Sequence, residues 1–464
     1  MSSPRISDGK LYLDGRFVTP TGAKTDPVLE KATGRELGRY VLGGRADADR
    51  AVASARAAQP GWAARLPDER ATLLRRIADV LLSRRDEFVD VLIRETGGVR
   101  AKAETEVFAA VRKLHESSGL ANRMAGELPP GFKPGKLVLS QRIPLGVVAA
   151  ITPWNFPLLL AMRPLAPALA LGNTVVLKPA ELTPIAGGQL LMEVFDEAGT
   201  PPGVVNLVTG EGPDAGEPLA EHPDVAMIHF TGSVEIGHRM ASIATRDFRR
   251  TSLELGGDNA FVVLDDADLD AAVACGAASF DFQGQTCITA SRHIVQRGIA
   301  ADYTAALAAR ARALRVGDPA TGDVDLGPMI SAAQLDRLHR QLVEPSVRMG
   351  AQVIEGARHD GLFYRPTVLT EVKPDMPVFT EEVFGPVAPI TVVDTEEEAL
   401  SLTNAFPALV NAVHTGDLVR GLAFAERVHC GIVHVNDVGG RPHDEGDLEA
   451  FTKHRWIGIQ RTAL

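Results

Sequence analysis

Between residues 146 and 245, short apolar runs alternate with helical stretches, and few folds accept such a chain. Residues 146–151, 174–178, 204–208 and 226–230 read as strands, and residues 158–171, 185–198, 215–221 and 234–245 as helices. A strand without a polar face must be covered on both sides. Helices that return the chain between such strands make the sheet parallel. The expected architecture is α/β, built on doubly wound parallel sheets. A second α/β series starts near Leu253 and runs to about Val435, so 464 residues should form two or three domains. Ahead of these series, residues 11–18 alternate about a turn and predict a hairpin. Residues 48–124 carry a helical pattern, punctuated by Pro60-Gly61 and Gly97-Gly98. Residues 136–142 are extended, and a strand-like Trp456-Ile457-Gly458-Ile459 closes the chain.

Composition excludes several classes of partner. A net charge of -11 opposes nucleic acid and anionic membranes. The most apolar stretch, residues 143–171, holds Arg163 and several prolines, so it reads as buried core rather than as a span. No apolar leader is visible at the start. Three cysteines make no disulfide framework, which suits a reducing cytoplasm. The histidines lack metal-ligand spacing, and no metal is expected.

Of the three cysteines, Cys287 has the surroundings of a reactive thiol. It lies in Gly284-Gln285-Thr286-Cys287-Ile288-Thr289, whereas Cys275 and Cys430 sit among small and apolar neighbours, as inert core thiols do. A lone cysteine is as readily a small hydrophobe, so the other motifs matter. Pro153-Trp154-Asn155-Phe156-Pro157 follows a strand, and its asparagine could hold an oxyanion or simply cap a helix. Leu253-Glu254-Leu255-Gly256-Gly257 sets a carboxylate between leucines; an apolar setting would raise its pKa and suit a general base, though the head could also reach water. Lys178-Pro179-Ala180-Glu181 ends another strand, as ribose ligands or as a solvated pair. Gly232-Ser233-Val234-Glu235-Ile236-Gly237 opens a helix as a pyrophosphate turn would, but is not a full dinucleotide fingerprint.

Taken in order along the chain, these motifs resemble the NAD(P)-dependent aldehyde dehydrogenase superfamily over nearly the full length. Glu381-Glu382-Val383-Phe384-Gly385-Pro386 and Phe363-Tyr364-Arg365-Pro366-Thr367 match too. Phe280-Asp281-Phe282-Gln283-Gly284-Gln285, Arg292-His293-Ile294-Val295 and His434-Val435-Asn436-Asp437 are similar to the benzaldehyde and vanillin dehydrogenase branch. The resemblance implies two Rossmann-like parallel-sheet domains plus a small β oligomerisation arm. Residues 1–119 and 143–252 would bind NAD, residues 253–436 would be catalytic, and residues 120–142 and 437–464 would form the arm of a homodimer or homotetramer. It implies Cys287 as nucleophile, Glu254 as base, and Asn155 as oxyanion donor with the Cys287 backbone N–H. Lys178 and Glu181 would hold the adenosine ribose, Gly232 and Ser233 the pyrophosphate, and Glu382 and Phe384 the nicotinamide ribose and ring. Trp154, Gly212 and Gly256 would complete the cofactor site. An acidic Glu181 favours NAD, with NADP left open because the side chain can swing aside. The implied reaction turns an aldehyde, aromatic or bulky, into its acid through a Cys287 thiohemiacetal and a thioester.

Three departures stand out. Asp258 replaces the family's usual lysine. The connection at residues 438–448 is short, which predicts a more open tunnel mouth. Residues 404–409, Asn-Ala-Phe-Pro-Ala-Leu, lack the usual Tyr-Gly-Leu. Two alternatives follow: an impaired member kept for binding or scaffolding, or a relative that passes its acyl group to another acceptor. Glu254 opposes the second, since only hydrolysis needs a water-activating base.

Overall fold

A computed structural model describes residues 9–20, 23–439 and 446–460. The first sheet has seven strands in the order Arg250–Leu255, Val225–Gly232, Val147–Ile151, Thr174–Lys178, Val205–Leu207, Leu11–Leu13, Arg16–Val18. The first five are parallel; the last two form the expected hairpin, whose first strand, Leu11–Leu13, pairs antiparallel with Val205–Leu207. Val147–Ile151 and Thr174–Lys178 are buried along their whole length. Their side chains divide by the two-residue period of a strand. Val148, Ala150, Val175 and Leu177 join one apolar core, and Val147, Ala149, Ile151 and Val176 join another on the opposite face. That is why these runs show no polar alternation.

The second sheet also has seven strands, ordered Gln352–Glu355, Thr367–Thr370, Val387–Val393, Arg292–Gln296, Ala260–Val263, Asn411–His414, Val433–Val435. Only its first pair is antiparallel. The second series therefore begins at Ala260, not near Leu253, because Arg250–Leu255 pairs with Val225–Gly232 at the edge of the first sheet. Pro60 and Gly61 also lie inside the helix Arg45–Ala63 rather than ending it. A proline near the last turn forfeits few hydrogen bonds, so the helix outlasts it by a few residues. Gly97 does end its helix, in a left-handed conformation at φ 75°.

Lys136–Pro144 and Thr452–Gln460 pair antiparallel as a separate two-stranded ribbon. Of the short 438–448 connection, residues 440–445 lie outside the described residues. Among the described residues, no helix is long and apolar enough to cross a membrane. Nor does any group of three or more His, Cys, Asp or Glu side chains assemble there to hold a metal ion.

Candidate active site

In an open parallel sheet, ligands collect beyond the carboxyl ends of the strands. The first sheet brings the sequence motifs to that edge. Trp154 and Asn155 follow Val147–Ile151, Lys178 ends its strand, Gly232 ends Val225–Gly232, and Glu254 lies next to last in Arg250–Leu255. Lys178 is buried at 3% exposure and pairs with Glu181 at 3.3 Å. It is no solvated surface lysine: burial lowers its pKa, and Glu181 opposes the shift. Gly212 opens the helical turn Gly212–Gly216, whose last residue lies against the Lys178 chain. Ser233 caps the helix Val234–Arg246 by accepting from the Ile236 N–H.

The Cys287 loop is shaped by backbone strain and by clamps. Phe282, Gln283 and Gly284 are successive left-handed residues, at φ 54°, 58° and 64°. Non-glycine side chains rarely accept that region. Gly284 has no alternative, since a Cβ there would lie 2.1 Å from the Gly385 carbonyl oxygen. Gln283 donates to the Gly97 and Pro328 carbonyls, at 2.6 and 3.1 Å. The Gln285 side-chain oxygen accepts from Ile330 N–H at 3.1 Å. Asn259 Nδ2 donates to the carbonyls of Cys287 (2.7 Å) and Thr289 (2.9 Å), while its Oδ1 accepts from Leu409 and Val410 N–H. The sequence reading missed Asn259, which is ordinary in type; only its burial at 2% exposure marks it.

Cys287 stands where two cavities meet. One is lined by Trp154, Asn155, Gly232, Ser233, Gly256, Asp258, Glu382 and Phe384. The other carries Phe156, Leu160, Arg163, Glu254, Ile288 and Leu409. Cys287 lines both. Lys178, Glu181 and Gly212 line neither and lie further along the strand ends. Asn155 is buried, and its amide donates to the Gln285 carbonyl at 3.1 Å, two residues before Cys287. That bond uses one of the two amide donors. Trp154 and Phe384 meet edge to face with centroids 5.5 Å apart. Gly256 admits the Glu382 carboxylate, which a Cβ would meet at 2.6 Å.

The electrostatics correct two expectations. Glu254 is not in an apolar pocket. Strand alternation turns Leu253 and Leu255 toward the apolar core and leaves the partly exposed Glu254 side chain 3.7 Å from Arg163. Cys287 is partly exposed. Burial nevertheless pushes its thiol pKa up; Arg163 opposes that, while Glu382 and Glu254 add to it. Cys275 and Cys430 are also partly exposed rather than fully buried in the core.

Asp258 is a buried carboxylate at 9% exposure, on the same cavity as Cys287. Burial pushes its pKa up to about 6, against the pull of Arg292 and Arg337. Glu382 is pushed up to about 7, first by burial and then by Asp258. A carboxyl with a raised folded-state pKa favours folding below its unfolded value and loses that contribution as pH rises through the folded value. Asp258→Asn should therefore stabilise the protein at pH 8, by up to about 3 kcal/mol. The gain should shrink to roughly half by pH 5. Urea unfolding at both pH values checks this; an equal effect at the two would refute it.

The aldehyde dehydrogenase family model matches residues 17–447. The chain belongs to the aldehyde dehydrogenase family. It is thus an oxidoreductase, with the two parallel sheets of that fold. It is 43% identical to the NAD(+) benzaldehyde dehydrogenase of Pseudomonas putida over 452 residues, 93% of this chain and 92% of that one. It is 42% identical to vanillin dehydrogenase of an Amycolatopsis species over 454 residues, 93% of each chain. The solved NAD-dependent benzaldehyde dehydrogenase of Corynebacterium glutamicum superposes with a TM-score of 0.93 at 35% identity, covering 99% of this chain and 100% of that one. The resemblance to the benzaldehyde and vanillin branch, read from residues 280–285, 292–295 and 434–437, agrees with these relatives.

In this aldehyde dehydrogenase, Arg163 is the other residue that the sequence reading passed over. Its signal was an arginine inside an otherwise apolar helix, Pro157–Ala170, where a charge is rarely kept unless paired.

Proposed function

We propose that this enzyme oxidises an aromatic or otherwise bulky aldehyde to its carboxylic acid with NAD. The observation that carries the reading is Cys287 at the junction of two cavities, Asn155 in one and Glu254 in the other. The Cys287 sulfur attacks the aldehyde carbon and forms a C–S bond, leaving a tetrahedral oxyanion. The second Asn155 amide donor and the Cys287 backbone N–H stabilise that oxygen as charge develops. A nicotinamide held by Glu382 and Phe384 would supply the hydride acceptor, and loss of hydride from the tetrahedral carbon leaves a thioester on Cys287. Glu254 takes a proton from water, which attacks the thioester; the acid departs and the sulfur is restored.

The cofactor suits the residues present. Lys178 and Glu181 offer a donor and an acceptor to a ribose, and Glu181 opposes a 2'-phosphate. Gly232 and Ser233 sit at a helix N-terminus, where a pyrophosphate charge is favoured. Gly212 opens the turn whose last residue, Gly216, adjoins Lys178, while Trp154, Gly256, Glu382 and Phe384 bound the nicotinamide end. The second cavity, with Phe156 and Phe282 edge to face at 5.5 Å beside Leu160, Ile288 and Leu409, suits a ring. The names of the relatives, benzaldehyde and vanillin dehydrogenases, support the same substrate class.

On this reading, residues 1–119 and 143–255 bind the dinucleotide, with Arg250–Leu255 at the edge of the first sheet, and residues 256–436 carry the catalytic cysteine. Residues 120–142 and 437–464 form the arm of a homodimer or homotetramer. Trp456, Leu137 and Ile459 on the ribbon are 61%, 41% and 43% exposed, as an uncovered interface would be. Three unpaired cysteines suit the cytoplasm. The intact trio of Cys287, Glu254 and Asn155 supports turnover over a binding-only role.

An aldehyde panel with NAD and NADP, followed by cofactor absorbance, tests the proposal. Benzaldehyde and its ring-substituted forms should outrank acetaldehyde, and NAD should outrank NADP. A strict preference for the smallest aldehydes would overturn the substrate class.

A further inference from the structure

Cys287 faces two carboxylates, Glu254 and Glu382, and both disfavour its thiolate. Among the described residues, no imidazole lines either cavity. His293, near in sequence, is buried elsewhere, with its ring nitrogens on Ser279 (2.9 Å) and Tyr303 (2.8 Å). The attacking form of the sulfur needs a positive charge nearby, and among the described residues four cations line the two cavities. Arg112 lies 3.6 Å from Glu116, and Lys113 lies 2.7 Å from Asp447. Arg337 donates to the Glu382 carbonyl at 2.8 Å and lies 3.4 Å from Glu381. Arg163 is the fourth. Its guanidinium is 3.7 Å from the Glu254 carboxylate, on the cavity that Cys287 also lines.

We propose that Arg163 is a positioning residue for both stages of the reaction: it fixes the Glu254 carboxylate beside the substrate cavity and supplies the charge that lets Cys287 attack as a thiolate. This rests on the reading of Cys287 as nucleophile and Glu254 as base.

The helix explains how one residue reaches both groups. In Pro157–Ala170, Leu160 and Arg163 are three apart, so they share a face, and both line the cavity. Leu158, Ala161, Met162 and Leu165, on the opposite side of the helix, are fully buried and anchor it. The helix start is fixed as well. Glu106, fully buried and 2.5 Å from Lys102, accepts the N–H groups of Leu158 and Leu159 at 2.8 and 3.3 Å. Asn155 leads into the same helix, so the oxyanion donor and the guanidinium are set by one rigid element. Arginine suits the task better than lysine: it stays charged on burial, and its planar fork can hold a carboxylate while still presenting charge elsewhere. Arg163 and Glu254 are each about a quarter exposed, so their attraction is screened but not lost.

The test reads the thiol rather than turnover. The full-length enzyme, without aldehyde or cofactor, is treated with iodoacetamide from pH 6 to 10. Alkylation of the Cys287 peptide is followed by mass spectrometry, with Cys275 and Cys430 as internal controls. In Arg163→Met and Arg163→Gln the midpoint should rise by about one pH unit, close to tenfold slower alkylation at pH 7. Arg163→Lys should keep most of the wild-type midpoint. Glu254→Gln, which removes an opposing charge, should move it the other way. Folding is checked by melting curves; should the methionine variant misfold, the glutamine variant, polar and uncharged, decides. Unchanged midpoints in a folded Arg163→Gln protein would overturn the proposal, as would a rise equally large in Arg163→Lys. The two readings fail separately. Aldehyde oxidation surviving in Cys287→Ala sinks the nucleophile assignment, whatever the midpoints do. An inactive Cys287→Ala with unmoved midpoints sinks only the role of Arg163.

Discussion

Cys287→Ala is expected to abolish aldehyde-dependent cofactor reduction, with kcat/KM falling by at least about 10⁴-fold. Among the described residues, no other thiol lines either cavity. Cys275 lines a different cavity, and Cys430 spends its sulfur on the Ala408 carbonyl at 3.3 Å. The variant should keep its fold. Alanine removes one partly exposed sulfur, and the Asn259 clamps hold main-chain carbonyls that the substitution leaves in place. Melting should shift by no more than about 2 °C. Residual turnover above about 1% in a folded variant would mean that another nucleophile acts.

Glu254→Gln should produce a different defect. The amide keeps the size of the side chain but cannot take a proton from water. On the proposed mechanism the first stage needs Cys287 and Asn155, so one equivalent of reduced cofactor per site should still appear as a burst. Steady turnover should then fall by about 10²–10⁴-fold. The acyl group should be trapped on the Cys287 peptide and be visible by mass after acid quench. A variant that turns over normally, or that stalls with no burst and no adduct, would remove Glu254 from the role of base. The burst rate adds a second reading, because the loss of a carboxylate beside Cys287 should favour the thiolate.

Much of the fold was legible because its signal is local. Continuous apolar runs such as residues 174–178 report strands buried on both faces, and the helices between them report parallel crossovers. The boundary near Leu253 was misjudged for the same reason. Thr251-Ser252-Leu253-Glu254-Leu255 is strand-like either way, and only pairing shows that it closes the first sheet instead of opening the second. Pro60-Gly61 misled because a breaker signal marks a region, not a residue, and the helix tolerates both near its last turn.

The candidate site divides along the same line. Cys287, Glu254, Asn155 and the Lys178/Glu181 pair could be picked out because each sits in a short motif whose order matches a family. Their residue types, and hence the chemistry open to them, were determined by the sequence alone. What each group does depends on what faces it across space. Glu254 has leucines on either side in sequence, yet the pleat of its strand turns it to Arg163. Asp258 is one more acidic residue until the fold buries it beside Glu382 and raises both pKa values. Arg163 is a single charge in an apolar helix until that helix is laid against the Cys287 loop. Burial, ion pairing and the protonation of a thiol are set by neighbours that chain order does not make adjacent, so only the tertiary structure could decide them.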